Sequence, residues 1–215
     1  MANISKEIAE ILLELEAVKL SPRDPFTWAS GIRSPIYCDN RITLSHPEER
    51  NFIARSLMDL VPDWEKIDVV AGVATAGIPY ASILAHMTEK PLIYVRSSHK
   101  KHGRQNVIEG YCKPGQRAVV VEDLISTGGS SLEAVSRLRE AGLEVEDVIA
   151  IFTYELEEAH RNFTEMNVHA HSLSQYNVLI RQAMAMDYIT ADDLEIVIKW
   201  NKSPKNWQNE KNNLG

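Results

Sequence analysis

Cysteine is scarce: Cys38 and Cys112 are the only two in 215 residues. They lie far apart in no paired spacing, which argues against both a disulfide framework and a zinc cluster. Long apolar runs are missing as well, and no stretch approaches the roughly 18–20 residues that span a bilayer. The opening MANISKEIAE has neither the basic start nor the apolar stretch of a secretory signal, so the chain is expected in the cytoplasm. The Asn-x-Ser/Thr matches at Asn3, Asn162 and Asn201 then read as chance. Neither a Gly-Lys-Ser/Thr nucleotide loop nor a Gly-x-Gly-x-x-Gly dinucleotide fingerprint occurs. Positive charge is in deficit, with 23 Lys and Arg against 30 Asp and Glu and a net charge of −7. That balance disfavours a nucleic-acid surface, because phosphate contacts are made by Lys and Arg.

What is present is an ordinary globular composition, 44% hydrophobic and 25% charged. A chain of this length suits one large domain with a small appendage and buries about 70% of its unfolded surface. Apolar residues at Ile4, Ile8, Ile11, Leu12 and Leu15 keep the period of an amphipathic helix up to Val18. Residues 21–41 hold three prolines and several aromatics, which predicts an irregular loop with a short strand around Ile36–Cys38. Ser45 and Glu48 have capping-box spacing ahead of a helix that runs to about Val61 and stops at Pro62.

Beyond this point short β-branched runs alternate with helical stretches. The runs are Asp68–Val73, Leu92–Val95, Arg117–Val121, Val145–Phe152 and Val168–Leu173; helices are expected over Gly77–Met87 and Ser131–Ala141, with Gly142 ending the second. Alternation of this kind predicts an α/β fold with a mostly parallel sheet flanked by helices. Thr190-x-x-Asp193 precedes Leu194, Val197 and Ile198, so a last helix should pack back on the body. The division expected is an N-terminal helix and hood over residues 1–45, a core over 46–200 and a polar tail over 201–215. His169 and His171 alternate on one strand and read as buried or edge histidines rather than metal ligands. Trp64, Trp200 and Trp207 read as packing or tail residues, and Met184 and Met186 as core.

The chemistry concentrates in Ala118–Ser131, AVVVEDLISTGGSS: a buried strand, two acids, then hydroxyl and glycine residues opening onto a helix. At such a strand-to-helix turn the free amides and the helix dipole favour an anion, and Gly128 and Gly129 let the backbone approach a phosphate. Ser126, Thr127 and Ser130 add hydroxyl donors. Glu122 and Asp123 would repel a bare polyphosphate, so a polyol or a metal should lie between them and the phosphate. A phosphorylated sugar with vicinal hydroxyls supplies the first.

The stretch resembles the phosphoribosyl pyrophosphate (PRPP) motif of the type I phosphoribosyltransferases. The resemblance implies that fold, with a hood over the sheet, and PRPP contacts along Glu122, Asp123, Leu124, Ile125, Ser126, Thr127, Gly128, Gly129 and Ser130. It gives the ribose hydroxyls to the two acids and the 5-phosphate to the loop from Ser126 to Ser130. A second element supports it. Between Glu89 and Glu109 there is no acid, while Lys90, Arg96, Lys100, Lys101 and Arg104 stand there with His99 and His102. Alone this is a solvated basic run; beside a PRPP site it is a counter-charge for pyrophosphate.

The pattern Arg96, Lys100, His102, Gly103 looks like that of the orotate phosphoribosyltransferases. The segments Phe26–Gly31 and Ser34–Arg41 are similar to that family's hood over the base, and Gly72–Pro79 to its pyrophosphate loop. Membership implies displacement of pyrophosphate from PRPP by orotate to give orotidine 5′-monophosphate, with Mg²⁺ held mainly by the substrate and no direct metal ligand from the chain. It also implies PRPP binding by Arg96, Lys100 and His102, catalysis by Lys100 and His102, and an orotate contact from Ser126. Residues Ser97–Glu109, bounded by Gly103 and Gly110, are expected to form a lid that excludes water. In the family this lid reaches the neighbouring subunit, which implies a homodimer with shared sites.

Ser97 and Ala29 stand where many members have lysine, and an arginine that some members set against the orotate carboxylate is replaced near Tyr154. Arg33 and Arg41 are the alternatives, each also readable as an ordinary loop arginine. Two other functions compete. A non-catalytic PRPP-sensing regulator needs a DNA-binding appendage, for which no segment is to spare. A purine phosphoribosyltransferase is disfavoured by the hood segment.

Overall fold

Val119 and Val121 point to one side of their strand and Ala118 and Val120 to the other, yet all four are buried. A strand covered on both faces must lie inside a sheet sandwiched between helices. The computed structural model describes residues 2–28, 31–96 and 107–207. Helix α1 (Ala2–Glu14) leads into two small antiparallel pairs. These are β1 (Val18–Leu20) with β4 (Ile36–Cys38), and β2 (Phe26–Thr27) with β3 (Arg33–Ser34). A 3-10 turn over Asn40–Ser45 precedes α2 (Pro47–Met58).

The core follows as β5 (Val69–Val73), α3 (Gly77–Met87), β6 (Leu92–Val95), β7 (Ile108–Glu109), β8 (Arg117–Ile125), α4 (Gly129–Glu140) and β9 (Glu144–Thr153). The chain then runs through α5 (Glu157–Glu165), β10 (His169–Gln175), α6 (Tyr176–Ala185) and α7 (Ala191–Lys202). The sheet order is β10-β9-β8-β5-β6-β7, parallel except for β7. Strand β5 sends its chain through α3 outward to β6, whereas β8 sends its chain through α4 the other way to β9. The order therefore reverses between β5 and β8, and a crevice opens at their carboxyl ends where α/β sheets bind ligands.

One core layer joins Val70, Val119, Val121, Ile149 and Ile151 to the buried faces of α1, α2, α3, α6 and α7. The other sets Val69, Ala71, Val120, Val148 and Ala150 against α4 and α5. The hood is fastened by an aromatic cluster in which Trp28 stacks on Tyr154 with centroids 5.2 Å apart, and Trp200 meets both rings edge-on. Trp200 Nε1 also donates to the backbone oxygen of Arg33 at 3.0 Å.

The capping box expected at Ser45 does not form. Asp39 caps the 3-10 turn instead, its side chain accepting from Arg41 N, and α2 begins with Pro47 after a His46 that makes no side-chain cap. Proline carries the φ of a first helical residue and lacks the N–H a cap would serve, so it fixes the start one residue later than Ser45 would. That helix ends at Met58, short of Val61. At the other end the Thr190–Asp193 box is complete in both directions. The tail expected from Asn201 begins inside α7, and Trp207 is buried against the core because its indole has apolar area to cover. Helices α5 and α6 were not among the expected elements.

Candidate active site

Strand β8 continues four residues past Val121, pairing Glu122 with Ala150, Leu124 with Phe152 and Ile125 with Thr153. The two acids therefore stand on the strand itself, at the crevice between β5 and β8. Alternation separates their neighbours: Ile125 is buried among residues of the α4 and α5 face, and Leu124 packs half-buried on the opposite core. Of the PRPP contacts expected from Leu124 and Ile125, only the backbone is left to make them.

Glu122 is 4% exposed. Its Oε1 accepts from Asp123 N at 3.0 Å, and its Oε2 accepts from Ser130 Oγ at 3.0 Å and Ser131 Oγ at 3.2 Å. These donors favour the carboxylate, but burial and the adjacent Asp123 outweigh them and hold Glu122 far above the ordinary carboxylate range. Burial raises Asp123 as well, against hydrogen bonds and the charge of Arg41. Without a ligand, the two acids favour keeping a proton between them.

Past the strand, Ser126 and Thr127 are half-buried, Gly128 is buried, and Gly129 and Ser130 are exposed at the start of α4. Gly128 occupies the left-handed region at φ +80, and a Cβ there would sit 2.6 Å from the Phe163 ring. Only glycine fits that turn. Asn162 of α5 donates to the Thr127 oxygen at 3.0 Å, which fixes the loop from behind. Across the crevice, a Cβ on Gly77 would collide with the Val121 backbone oxygen, so the start of α3 can lie against β8 only as glycine.

The hood reaches this point through Asn40, which is fully buried. Its Nδ2 donates to the backbone oxygen of Asp123 at 2.7 Å, and its Oδ1 accepts from Cys38 Sγ at 3.3 Å. Thr43 completes the anchor, donating to the Asn40 oxygen at 2.6 Å and lying 2.7 Å from the Tyr80 hydroxyl of α3. Asn40 stands between the charged residues Asp39 and Arg41, and no pattern along the sequence marks it as the anchor.

Arg96 lies beyond the end of β6, where its Nη1 meets Glu109 Oε1 at 2.7 Å and its amide donates to the Val107 oxygen at 2.8 Å. With Val73, Ala74, Ser130, Glu133 and others it lines a cleft of about 30 Å³. Glu109 is the acid that ends the basic run, and the sequence did not reveal that it would pair with the first arginine. Lys100 and His102, with most of the expected lid, lie outside the described residues, as do Ser97 and Ala29. Tyr154 is buried in the aromatic cluster. Arg33 and Arg41 are both exposed in the hood. His169 and His171 lie on the edge strand β10, each within 3.5 Å of Asp147. Among the described residues no group of three or more His, Cys, Asp or Glu is arranged to hold a metal. A larger cleft of about 520 Å³ opens between α5 and β10; Ile125 lines it, but neither Glu122 nor Asp123 does.

This arrangement can hold a phosphate at an amide-rich turn, meet a diol with two acids beside it, and close a base under the hood. The comparisons agree. Residues 44–169 match the phosphoribosyl transferase domain model. An orotate phosphoribosyltransferase of Listeria monocytogenes is 50% identical over 206 residues, covering 95% of this chain and 99% of its own. The crystal structure of orotate phosphoribosyltransferase from Aeropyrum pernix superposes with a TM-score of 0.75 at 29% identity, covering 85% of this chain and 99% of that one. The Mycobacterium tuberculosis H37Rv orotate phosphoribosyltransferase in complex with PRPP gives a TM-score of 0.64 at 26% identity, covering 82% and 98%. Half identical to such a relative along nearly its whole length, the protein belongs to the orotate phosphoribosyltransferases.

Proposed function

We infer that the chain transfers the 5-phosphoribosyl group of PRPP to N1 of orotate, giving orotidine 5′-monophosphate and pyrophosphate in pyrimidine biosynthesis. The observation that carries this reading is the acid pair at the end of β8, running directly into the hydroxyl and glycine turn that opens α4, under a hood pinned to Asp123. The C1–N1 bond forms as the C1–O bond breaks, the electron pair leaves with pyrophosphate, and the N1 proton is lost to solvent. Charge separates along that path, as in glycoside hydrolysis, so the protein has to stabilise a cationic ring and a leaving anion together.

The residues divide accordingly. The turn from Ser126 to Ser130 holds the 5-phosphate, and Glu122 and Asp123 hold the ribose hydroxyls and present negative potential to the ring. Arg96, Lys100 and His102 take the growing charge of pyrophosphate, with Lys100 the main catalytic side chain and Ser126 touching the base. Glu109 fixes the guanidinium of Arg96 while leaving it partly exposed. Mg²⁺ suits this chemistry. It prefers hard oxygens, which the phosphates and hydroxyls of PRPP would supply, so that no direct ligand from the chain is required. When bound, it neutralises diphosphate oxygens.

The active unit we propose is a cytoplasmic homodimer whose sites share the 97–109 segment. Incubation with PRPP, Mg²⁺ and orotate, following the loss of free orotate, tests the activity against hypoxanthine, adenine and uracil as controls. Turnover of another base without orotate would overturn it.

A further inference from the structure

We propose that Arg41 is the residue that recognises the carboxylate of orotate and so sets the base specificity of the site. The assignment rests on the activity inferred above. Orotate carries a carboxylate that remains ionised at neutral pH, and it must enter a site that already holds two acids, Glu122 and Asp123. Removing that charge from water without a cation is costly, and the acids add repulsion. Tyr154 offers no charge and is committed to packing with Trp28, Phe152, Tyr176 and Trp200.

Among the described residues of the hood, the cations sort clearly. Lys19 pairs with Glu16, and Arg23 pairs with Asp193 on α7. Arg33 alternates along β3 with Ser34, which is fully buried and donates inward to the Ile36 oxygen at 2.8 Å, so Arg33 points to the opposite side. Arg41 follows Asn40, the residue bonded to the Asp123 backbone, and its positive charge favours the ionised form of Asp123. It therefore stands at the mouth of the acid pair on the hood side.

Its geometry suits recognition. Asp39 Oδ1 accepts from Arg41 Nε at 2.7 Å and Asp39 Oδ2 accepts from Nη2 at 2.7 Å. One edge of the guanidinium is thus gripped, and the Nη1 edge carries donors that these bonds do not use. The side chain remains 59% exposed. A forked donor held in one orientation matches a carboxylate better than a flexible ammonium does.

Orotidine 5′-monophosphate and uridine 5′-monophosphate differ only in this carboxylate, so their binding to the full chain, measured by calorimetry, isolates it. The unsubstituted protein should prefer the former. Arg41→Gln should weaken orotidine monophosphate binding by about 10- to 100-fold while uridine monophosphate changes by less than about threefold. Arg41→Lys should fall between, and Asp39→Asn, which loosens the grip, should lose less than Arg41→Gln. Retention of the preference in Arg41→Gln would overturn the assignment, as would equal losses for both nucleotides, which would place Arg41 on the shared phosphoribosyl part. An unsubstituted chain that neither discriminates the two nor consumes orotate overturns the activity itself, whereas normal turnover with preference unchanged in Arg41→Gln overturns only the assignment.

Discussion

Asn40 of the hood donates to the backbone oxygen of Asp123 at 2.7 Å, joining the N-terminal hood to the strand that carries the acids. The bond is partly buried and spans 83 residues of sequence. Asn40→Ala leaves the Asp123 carbonyl without its side-chain donor and Cys38 Sγ without its acceptor. It should cost about 1–3 kcal/mol in urea unfolding. Because the same bond sets hood against acids, the KM values for PRPP and orotate should rise together; a change in only one would argue that the two parts are positioned separately.

Gly128→Ala meets two obstacles at once, a left-handed φ and the Phe163 ring at 2.6 Å. Destabilisation of about 1–3 kcal/mol is expected, with weakened PRPP binding because the turn holding the phosphate must move. Adding Phe163→Ala relieves the clash but not the backbone, so the double variant should recover little of the PRPP affinity. Full recovery would show that the ring contact alone makes the glycine necessary.

The raised acid pair gives the ligand-free protein a stability that depends on pH. In the folded state the Glu122–Asp123 pair keeps a proton that the unfolded chain releases in the ordinary carboxylate range, because burial penalises their charge. Stability must therefore fall as pH rises from that range up through the raised pKa values. Glu122→Gln should flatten this decline in unfolding midpoints taken across the pH series, while lowering the affinity for PRPP. Parallel pH profiles for the two proteins would mean that the pair is ionised in the free enzyme.

Lys100 tests the catalytic assignment. Lys100→Ala should slow turnover by about 100-fold or more while changing orotidine monophosphate binding by only a few-fold, since the interaction is made with charge that develops as pyrophosphate leaves. Mixing Lys100→Ala with Asp123→Asn, each nearly inactive, should restore about a quarter of normal activity if the loop serves the partner's site in a two-fold dimer. No restoration would place Lys100 in its own subunit's site.

The placement of the acids and the glycine turn at the end of β8 was legible because it is local: strand, acids, hydroxyls and glycines follow one another along a single segment. The sheet was legible for a related reason, since strands buried on both faces read as short unbroken apolar runs, Val69–Val73 and Ala118–Val121 among them. What escaped notice depended on partners distant in sequence. Nothing around Asn40 announces Asp123, and nothing around Asn162 announces Thr127. Ser45 misled because proline at the first helical position overrode a capping pattern that the same sequence allowed. Thr190 and Asp193 carry the same signal with no proline to override it, and there the box closes.

The two ends of the described fold are sewn together. Ser5 Oγ donates to Gln175 Oε1, Gln182 Nε2 to Glu10 Oε1, and Arg23 pairs with Asp193, all across about 170 residues. A chain leaving the ribosome exposes the apolar face of α1 until α6 has emerged, roughly 10–30 s later at ordinary elongation rates. The hood waits longer still, because Trp200 bonds the Arg33 backbone from the last helix. A nascent chain can build the glycine turn after β8 before α7 exists, but the hood is fastened only near the end of translation.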